Sequence, residues 1–112
     1  MGDDSYKVLI GPAFMTSSGS TLGTVPAGKS WIARNWVAIN TDSSARTFGI
    51  YNSTSGALTA QFQITPSALS VDAGGMAEWD GAKAFEAGRT IALAASVGSK
   101  ITFEMSGDEY SS

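Results

Sequence analysis

Hydrophobic and polar residues alternate along most of this chain, in short runs separated by turn residues. The longest run covers residues 30–40, and another covers residues 58–65, where apolar and polar residues exchange at every position. Further runs cover residues 7–10, 47–51, 76–80, 82–85, 91–95 and 101–105. A period of two is typical of a strand with one buried and one solvated face, and no stretch has the apolar spacing of a long helix. The pattern predicts an all-β fold of about eight strands.

A short Ala-Gly phrase recurs three times, at residues 27–31, 73–77 and 87–91. In each phrase a glycine, which adopts a positive φ without steric cost, precedes strand-forming residues. We therefore expect tight turns that lead into strands, and an antiparallel two-sheet β-sandwich built from those strands. The predicted core consists of apolar residues on the inward faces of the runs: Phe48, Ile50, Leu58, Phe62, Ile64, Ile91, Leu93, Ile101 and Phe103.

Length and composition predict one globular domain that covers residues 1–112. A chain of 112 residues buries about two thirds of the surface that its unfolded form exposes. Hydrophobic residues make up 43% and charged residues 15%, so the surface carries few charges. We expect residues 1–5 and 108–112 to be flexible tails and residues 16–23 to form an exposed loop. The acidic N-terminus differs from a secretory signal, and no apolar run could span a bilayer, so we expect no membrane partner.

The chain contains few of the residue types that catalyse reactions or bind metals. The chain has no His and no Cys, which excludes the usual general base, a thiolate nucleophile and most zinc sites. Its Ser-Lys neighbours are adjacent in sequence, so their side chains point to opposite faces of a strand. Glu78 and Asp80 share a strand face, and this spacing suits an acid/base pair or a calcium ion. They also flank Trp79, which is the pattern of a half-buried strand with its charged residues on the solvated face. We predict no enzymatic activity, no cofactor and no metal.

Charge also limits the classes of partner. The seven basic residues are scattered singly and are outnumbered by ten acidic ones. Nucleic-acid binding depends on clustered Lys and Arg, so we expect no nucleic-acid partner, and adhesion to an anionic membrane is excluded on the same ground.

The three tryptophans, Trp31, Trp36 and Trp79, are the candidate interface residues, because tryptophan anchors protein interfaces and stacks on sugar rings. Trp31 and Trp36 are an odd number of positions apart, so a regular strand would send them to opposite faces. Either a bulge near residues 34–35 places both in the core, or one of them anchors a protein interface, or one forms a platform for a carbohydrate.

A series of motifs between residues 21 and 107 carries a family resemblance. Val-Pro-Ala-Gly-Lys at residues 25–29 is followed by a long strand that ends in Asn40-Thr41, and then by residues 45–48. The second half continues with motifs at residues 72–75, 79–81, 85–91, 94–96 and 101–107. In this order and spacing the chain resembles small β-sandwich virion proteins of tailed bacteriophages, which have jelly-roll or related folds.

The resemblance implies a sandwich of jelly-roll type and a structural role in the virion. Family members serve as capsid decoration (cement) proteins, as head or tail fibre modules, and as other tail components. A single domain without repeats fits decoration better than a fibre. We therefore expect a decoration protein that is assembled in the host bacterial cytoplasm, forms a dimer or trimer, and binds the major capsid protein on the capsid surface. The alternatives are a tail or fibre module and a carbohydrate-binding β-sandwich. With few surface charges, attachment should be rather insensitive to salt.

Overall fold

Eight strands in two four-stranded sheets make up the fold that the computed structural model describes, over residues 5–54, 58, 60–65 and 68–111. The strands are β1 (Ser5–Phe14), β2 (Ser20–Thr24), β3 (Lys29–Asn40), β4 (Arg46–Ser53), β5 (Leu69–Val71), β6 (Met76–Phe85), β7 (Thr90–Ala95) and β8 (Ile101–Ser111). A short 3-10 helix, Ala60–Phe62, lies between β4 and β5. The sheet with strand order β1-β8-β3-β6 is called the front sheet, and the sheet with order β2-β7-β4-β5 is called the back sheet.

The strand order is nested, which is the topology of a jelly roll. The first strand pairs with the eighth, the second with the seventh, the third with the sixth and the fourth with the fifth, all antiparallel. The two halves of each pair lie in the same sheet, so the chain crosses between the sheets after nearly every strand. The predicted all-β, two-sheet sandwich of jelly-roll type is confirmed.

The three Ala-Gly phrases form the turns that the sequence predicts. In each turn the fourth residue donates a backbone hydrogen bond to the first: Lys29 to Pro26 at 3.1 Å, Gly75 to Asp72 at 2.8 Å and Arg89 to Glu86 at 3.1 Å. The glycine in third position has a φ between 67° and 83°, as a type II turn requires. These turns lead into β3, β6 and β7.

The core lies between the two sheets. Six of the predicted core residues are at most 1% exposed: Phe48, Ile50, Ile91, Leu93, Ile101 and Phe103. The remaining three, Leu58, Phe62 and Ile64, are half-buried. Further side chains that were not on the predicted core list also belong to it, among them Met15, Trp31, Trp36 and Phe85. Each of these four residues lies on a strand, or at the end of one, for which the sequence pattern alone does not show which face points inward.

The predicted strand at residues 58–65 is wrong. The described part of this segment contains the 3-10 helix and one isolated bridge, between Gln63 and Tyr51. β5 pairs with the start of β4 as far as Phe48, so only the second half of this edge of β4 is left for residues 58–65. There the Ile50 carbonyl oxygen accepts from the Ile64 amide at 3.0 Å, but the Ile50 amide donates to the Thr65 side-chain hydroxyl at 2.9 Å, which takes the place of the backbone acceptor of a ladder.

Two segments are more ordered than predicted. Residues 20–23, expected as loop, belong to β2, an edge strand rich in small polar residues whose partner is β7. Residues 108–111, expected as a flexible tail, form the end of β8 between β1 and β3. Their charges are paired across the sheet, Asp108 with Arg34 and Glu109 with Lys7, which explains why a polar segment is held in a strand. Residues 1–4 and 112 of the predicted tails lie outside the described residues, and Ser5 pairs with Glu109.

Candidate protein-binding surface

A bulge in β3 decides the position of two of the three candidate tryptophans. Between Ala33 and Asn35 the register of β3 shifts against both of its neighbours, β8 and β6. The shift reverses the alternation of faces, so Trp31 and Trp36 both point inward and are 6% and 7% exposed. The alternative of a bulge near residues 34–35 is therefore the one that the structure adopts. Neither residue presents an indole face on which a partner or a sugar could stack.

The contacts of the two indoles agree with a core position. The Trp36 ring lies edge-on to Phe48 at 5.8 Å between centroids and beside Phe103 at 5.9 Å, so it joins the two sheets. Trp31 donates from Nε1 to Oε2 of Glu109 at 2.9 Å, which satisfies its polar atom. Trp31 and Trp36 therefore lack the exposed surface that the predicted anchor role requires. Of the three, Trp79 keeps a partly exposed surface.

The large exposed hydrophobic residues among those described all lie on the outer face of the front sheet. They are Tyr6, Val8, Phe14, Ile39 and Met76, with exposures from 40% to 61%. The inward positions of the same strands hold core residues such as Ile10, Ala38 and Phe103. Exposure of this kind on one face of one sheet is typical of a surface that binds another protein.

Strand register brings three of these residues into one line across the sheet. Met76 on β6 is opposite Ile39 on β3, Ile39 is opposite Thr102 on β8, and Thr102 is opposite Phe14 on β1. We call these four residues the apolar row. Neighbouring strands are about 4.8 Å apart, so the row spans the full width of the sheet.

The centre of the outer face of the back sheet is covered by the chain itself, whereas Thr21 at its β2 edge is exposed. Tyr51 and Ala92 are directly paired and point away from the core, yet they are 7% and 0% exposed. Leu58, from the segment between β4 and β5, packs so closely on Gly19 that a side chain there would collide with it. Phe62 in the same segment lies under the guanidinium of Arg89, 5.4 Å from the ring centroid. The front sheet therefore presents the open face of the sandwich.

Acidic residues stand beside the apolar row. In the next row across the sheet, Glu78 on β6 and Glu104 on β8 flank Val37, and Asp80 follows on β6. None of these three carboxylates forms an ion pair with another described residue. The guanidinium of Arg34 is bound to Asp108 at 2.8 Å, and this contact raises the pKa of Arg34. The centre of the outer face therefore carries uncompensated negative charge.

A small open pocket lies on the inner side of β6, at the edge of the sandwich. Its volume is about 120 Å³, and it is lined by Ala33, Trp36, Ile64, Thr65, Trp79, Ala82, Lys83, Phe85 and Met105. Ala33, Trp36, Phe85 and Met105 are buried and form the floor, whereas Ala82 and Lys83 are exposed and lie at the mouth. Gly81 leaves room for the indole, since a Cβ there would be 2.8 Å from Cζ2 of Trp79. We call this the Trp79 pocket.

The described residues contain no group of three or more His, Cys, Asp or Glu that could hold a metal ion. Glu78 and Asp80 point outward on β6 as the sequence suggests, next to half-buried Trp79. The Lys29 amine donates to Ser111 Oγ at 3.2 Å in an exposed position, so this Ser-Lys contact lies on the surface and not in a cleft. Within the described part of the chain, no helix is long and apolar enough to cross a membrane.

Comparison with known proteins finds likeness in the fold. No protein-family model matches the chain, and no curated protein matches its sequence. A protein of Bacillus endospore appendages, described as a family of disulfide-linked pili, superposes with a TM-score of 0.62 at 8% identity, over 99% of this chain and 90% of that one. The virus-like particle of extra small virus from the prawn Macrobrachium rosenbergii gives a TM-score of 0.55 at 10% identity, over 99% and 80%. At these identities the similarity is one of fold.

The outer face was missed by the sequence reasoning, which singled out tryptophan. A signal does exist, because Phe14, Ile39 and Met76 occupy positions whose neighbours in the chain are buried or half-buried. Interpreting it needs the register of four strands that are far apart in sequence. The Trp79 pocket was missed for a similar reason, since its lining comes from β3, β6, β8 and the segment before β5.

Proposed function

We propose that this chain is a non-enzymatic structural protein of a tailed-bacteriophage virion, a capsid decoration protein that attaches through the outer face of the front sheet. The observation that carries the proposal is the apolar row, Met76, Ile39, Thr102 and Phe14, on the face where all the large exposed hydrophobic residues among those described are found. A binding protein needs such a face, whereas an enzyme needs a cleft with paired chemical groups.

Three further points support this proposal. The motifs between residues 21 and 107 resemble those of small phage virion proteins. A similar fold occurs in the virus-like particle of extra small virus and in an endospore appendage that is described as a pilus. A rigid sandwich with one open face is suited to tile a surface, because each copy can cover a seam between shell subunits.

Attachment by such a face stabilises the shell to which it binds. A protein that binds the mature lattice and not its precursor shifts the equilibrium towards the mature form by mass action. The partner on the shell is the major capsid protein, and copies of this chain associate as a dimer or trimer at the site. The appendage neighbour is described as disulfide-linked, but this sequence has no cysteine. No disulfide of this chain can therefore link it to its partners.

Electron cryomicroscopy of the virion tests the location. Many copies distributed over the head are expected. A few copies at the tail or at one vertex would replace decoration by the tail or fibre alternative, and a virion that lacks the chain would overturn the virion assignment altogether. Quenching of tryptophan fluorescence by glycans would favour the carbohydrate-binding alternative.

Binding of variants to empty heads tests the face. Ile39→Lys places a charge in the centre of the apolar row, and we expect it to abolish binding while the domain stays folded. Thr21→Lys is the matched control, since Thr21 is exposed on β2 of the back sheet. Equal binding by both variants would show that the outer face of the front sheet is not the interface. Sedimentation of the free protein gives the oligomeric state.

A further inference from the structure

The free edge of β6 and the Trp79 pocket together form a second binding site, separate from the outer face. β6 is ten residues long and, among the described residues, pairs with β3 alone, so its other edge presents unpaired backbone N–H and C=O groups. Such an edge is a template for an added strand. The pocket opens on the inner side of this same strand, between β6 and residues 64–65.

The alternation of β6 explains how edge and pocket combine. Trp79, Lys83 and Phe85 all lie on the inward face of β6, because each of them is paired with a buried residue of β3. A strand added at the free edge would run about 4.8 Å away and would send every second side chain inward. One of those side chains would then enter the pocket between Trp79 and Ile64.

The size and lining of the pocket define the side chain that it accepts. At about 120 Å³ the pocket is smaller than the roughly 150 Å³ cavity that holds a benzene ring, and far below the roughly 300 Å³ at which pockets for larger ligands begin. Its floor, made by Ala33, Trp36, Phe85 and Met105, is apolar. A single aliphatic side chain such as that of leucine fits, whereas a cofactor does not.

Lys83 adds a charge requirement. It is the one charged residue of the lining, it is exposed at the mouth, and it forms no ion pair with another described residue. Residues two positions apart in a strand are about 6.6 Å apart on the same face. An acidic residue two positions from the aliphatic one would therefore reach the Lys83 ammonium.

We infer that β6 binds an extended segment of a partner protein by strand addition, with an aliphatic side chain in the Trp79 pocket and an acidic side chain, two positions away, on Lys83. An inward-facing lysine on an edge strand also discourages pairing with a purely apolar strand. Lys83 therefore disfavours a purely apolar segment and favours a segment with an acidic residue at the facing position. The site is independent of the outer face and of the shell that the outer face binds.

The test is an NMR titration of the whole chain with synthetic peptides. The probe is an acetylated and amidated heptapeptide of threonines in which a leucine and an aspartate stand two positions apart. We expect shifts of the backbone amides of β6 and of the indole N–H groups of Trp36 and Trp79. Replacing the leucine by alanine should weaken binding about tenfold, in line with loss of an anchoring side chain. Methylation of the peptide nitrogens that face β6 should abolish it.

A charge exchange tests Lys83 specifically. Lys83→Glu should weaken binding of the aspartate peptide and strengthen binding of a peptide with lysine in place of the aspartate. Lys100→Glu is the matched control, since Lys100 is an exposed lysine in the turn before β8 and does not line the pocket. If no peptide binds, if the leucine and alanine peptides bind equally, or if the two variants behave alike, the inference is wrong.

Discussion

The indole Nε1 of Trp31 donates a hydrogen bond to Oε2 of Glu109 at 2.9 Å, while Oε1 of the same carboxylate accepts from Lys7 Nζ at 3.0 Å. One carboxylate therefore ties together β3, β8 and β1. The Trp31 hydrogen bond is the main cause, and the Lys7 bond the second, of a pKa of Glu109 below its ordinary value of 4.5. The carboxylate is thus a charged acceptor over most of the pH range, held in place by its neighbours.

This pair predicts an acid-dependent loss of stability. Because the pKa of Glu109 is lowered by folding, its contribution is fully present above the unfolded value near 4.5 and is lost as the pH falls through the lower folded pKa. Glu109→Gln removes this contribution at every pH. We expect the melting temperature of the wild type to exceed that of the variant above pH 4.5 and the two to converge in more acidic buffer. A constant difference across this range would contradict the prediction.

Gly107 on β8 should tolerate no side chain, because the bulged backbone of β3 crosses directly over it. A Cβ at this position would collide with the carbonyl oxygen of Ile32 and lie 2.9 Å from Cα of Ala33. Gly107→Ala should therefore destabilise the fold by about 1–3 kcal/mol in chemical denaturation. Gly11→Ala is the control, since a Cβ there meets nothing within 4 Å, and its stability should be unchanged or slightly raised. Equal effects of the two substitutions would show that β3 can move away.

Two phenylalanines of the predicted core should differ in their contribution to stability. Phe103 is 1% exposed and contacts Trp36, so truncation to alanine should cost about 3–5 kcal/mol. Phe62 is half-buried in the 3-10 helix under Arg89, so its truncation should cost about 1 kcal/mol. Denaturant titration of both variants measures the difference. A loss for Phe62 as large as that for Phe103 would mean that the segment before β5 belongs to the main core.

Asn40 at the end of β3 is fully buried and should be among the most sensitive polar positions. Its Nδ2 donates to the carbonyl oxygens of Val71 at 3.1 Å and Ser44 at 2.9 Å, and its Oδ1 accepts from the Asp42 amide at 2.9 Å. Asn40→Ala leaves these groups without partners inside the protein, at a cost of about 1–3 kcal/mol. Asn35→Ala, which removes a bond to Tyr6 on the surface, should cost less than about 1 kcal/mol. Thermal melts that rank the two in the opposite order would contradict this assignment.

The acidic residues beside the apolar row change the expected salt dependence of attachment. The low overall charge suggests attachment that is insensitive to salt, but Glu78, Asp80 and Glu104 are concentrated on the proposed interface. A shell that matches this face presents basic residues. Binding to heads should then weaken towards about 1 M salt, where the screening length is about 3 Å. Glu104→Gln should reduce this dependence, and an unchanged affinity over the range would support purely apolar attachment.

Sequence periodicity predicted those strands whose own alternation of apolar and polar residues agrees with their pairing in the sheets. β4, β7 and β8 each show the alternation that their two faces require, and the Ala-Gly turns before β3, β6 and β7 are specified by glycine chemistry. The alternation of residues 58–65 is equally regular, but alternation does not by itself supply a ladder. β5 occupies the start of the β4 edge, and further along the Ile50 amide is bound by the Thr65 hydroxyl instead of by a strand carbonyl.

The candidate site was less predictable, because it depends on which face of a sheet is covered. Alternation shows that Ile39 and Ala38 point to opposite faces, but not which face becomes the core after a bulge. The bulge near Arg34 requires the close approach of Gly107, more than seventy positions along the chain. Likewise, the exposure of the apolar row depends on the segment before β5 covering the other sheet instead of this one.

The nested strand order has a consequence for the order in which the chain can fold. Among the described residues β1 pairs with β8 alone, and the ion pair of Lys7 with Glu109 joins residues 102 positions apart. During synthesis β1 must therefore remain unpaired, with its apolar side chains unprotected, until β8 has left the ribosome. Such long loop closures make folding slow, in the range of about milliseconds to seconds for all-β domains of this kind. Until β8 is available, the unpaired strands of neighbouring nascent chains can pair with each other, so the nested order exposes this chain to aggregation during synthesis.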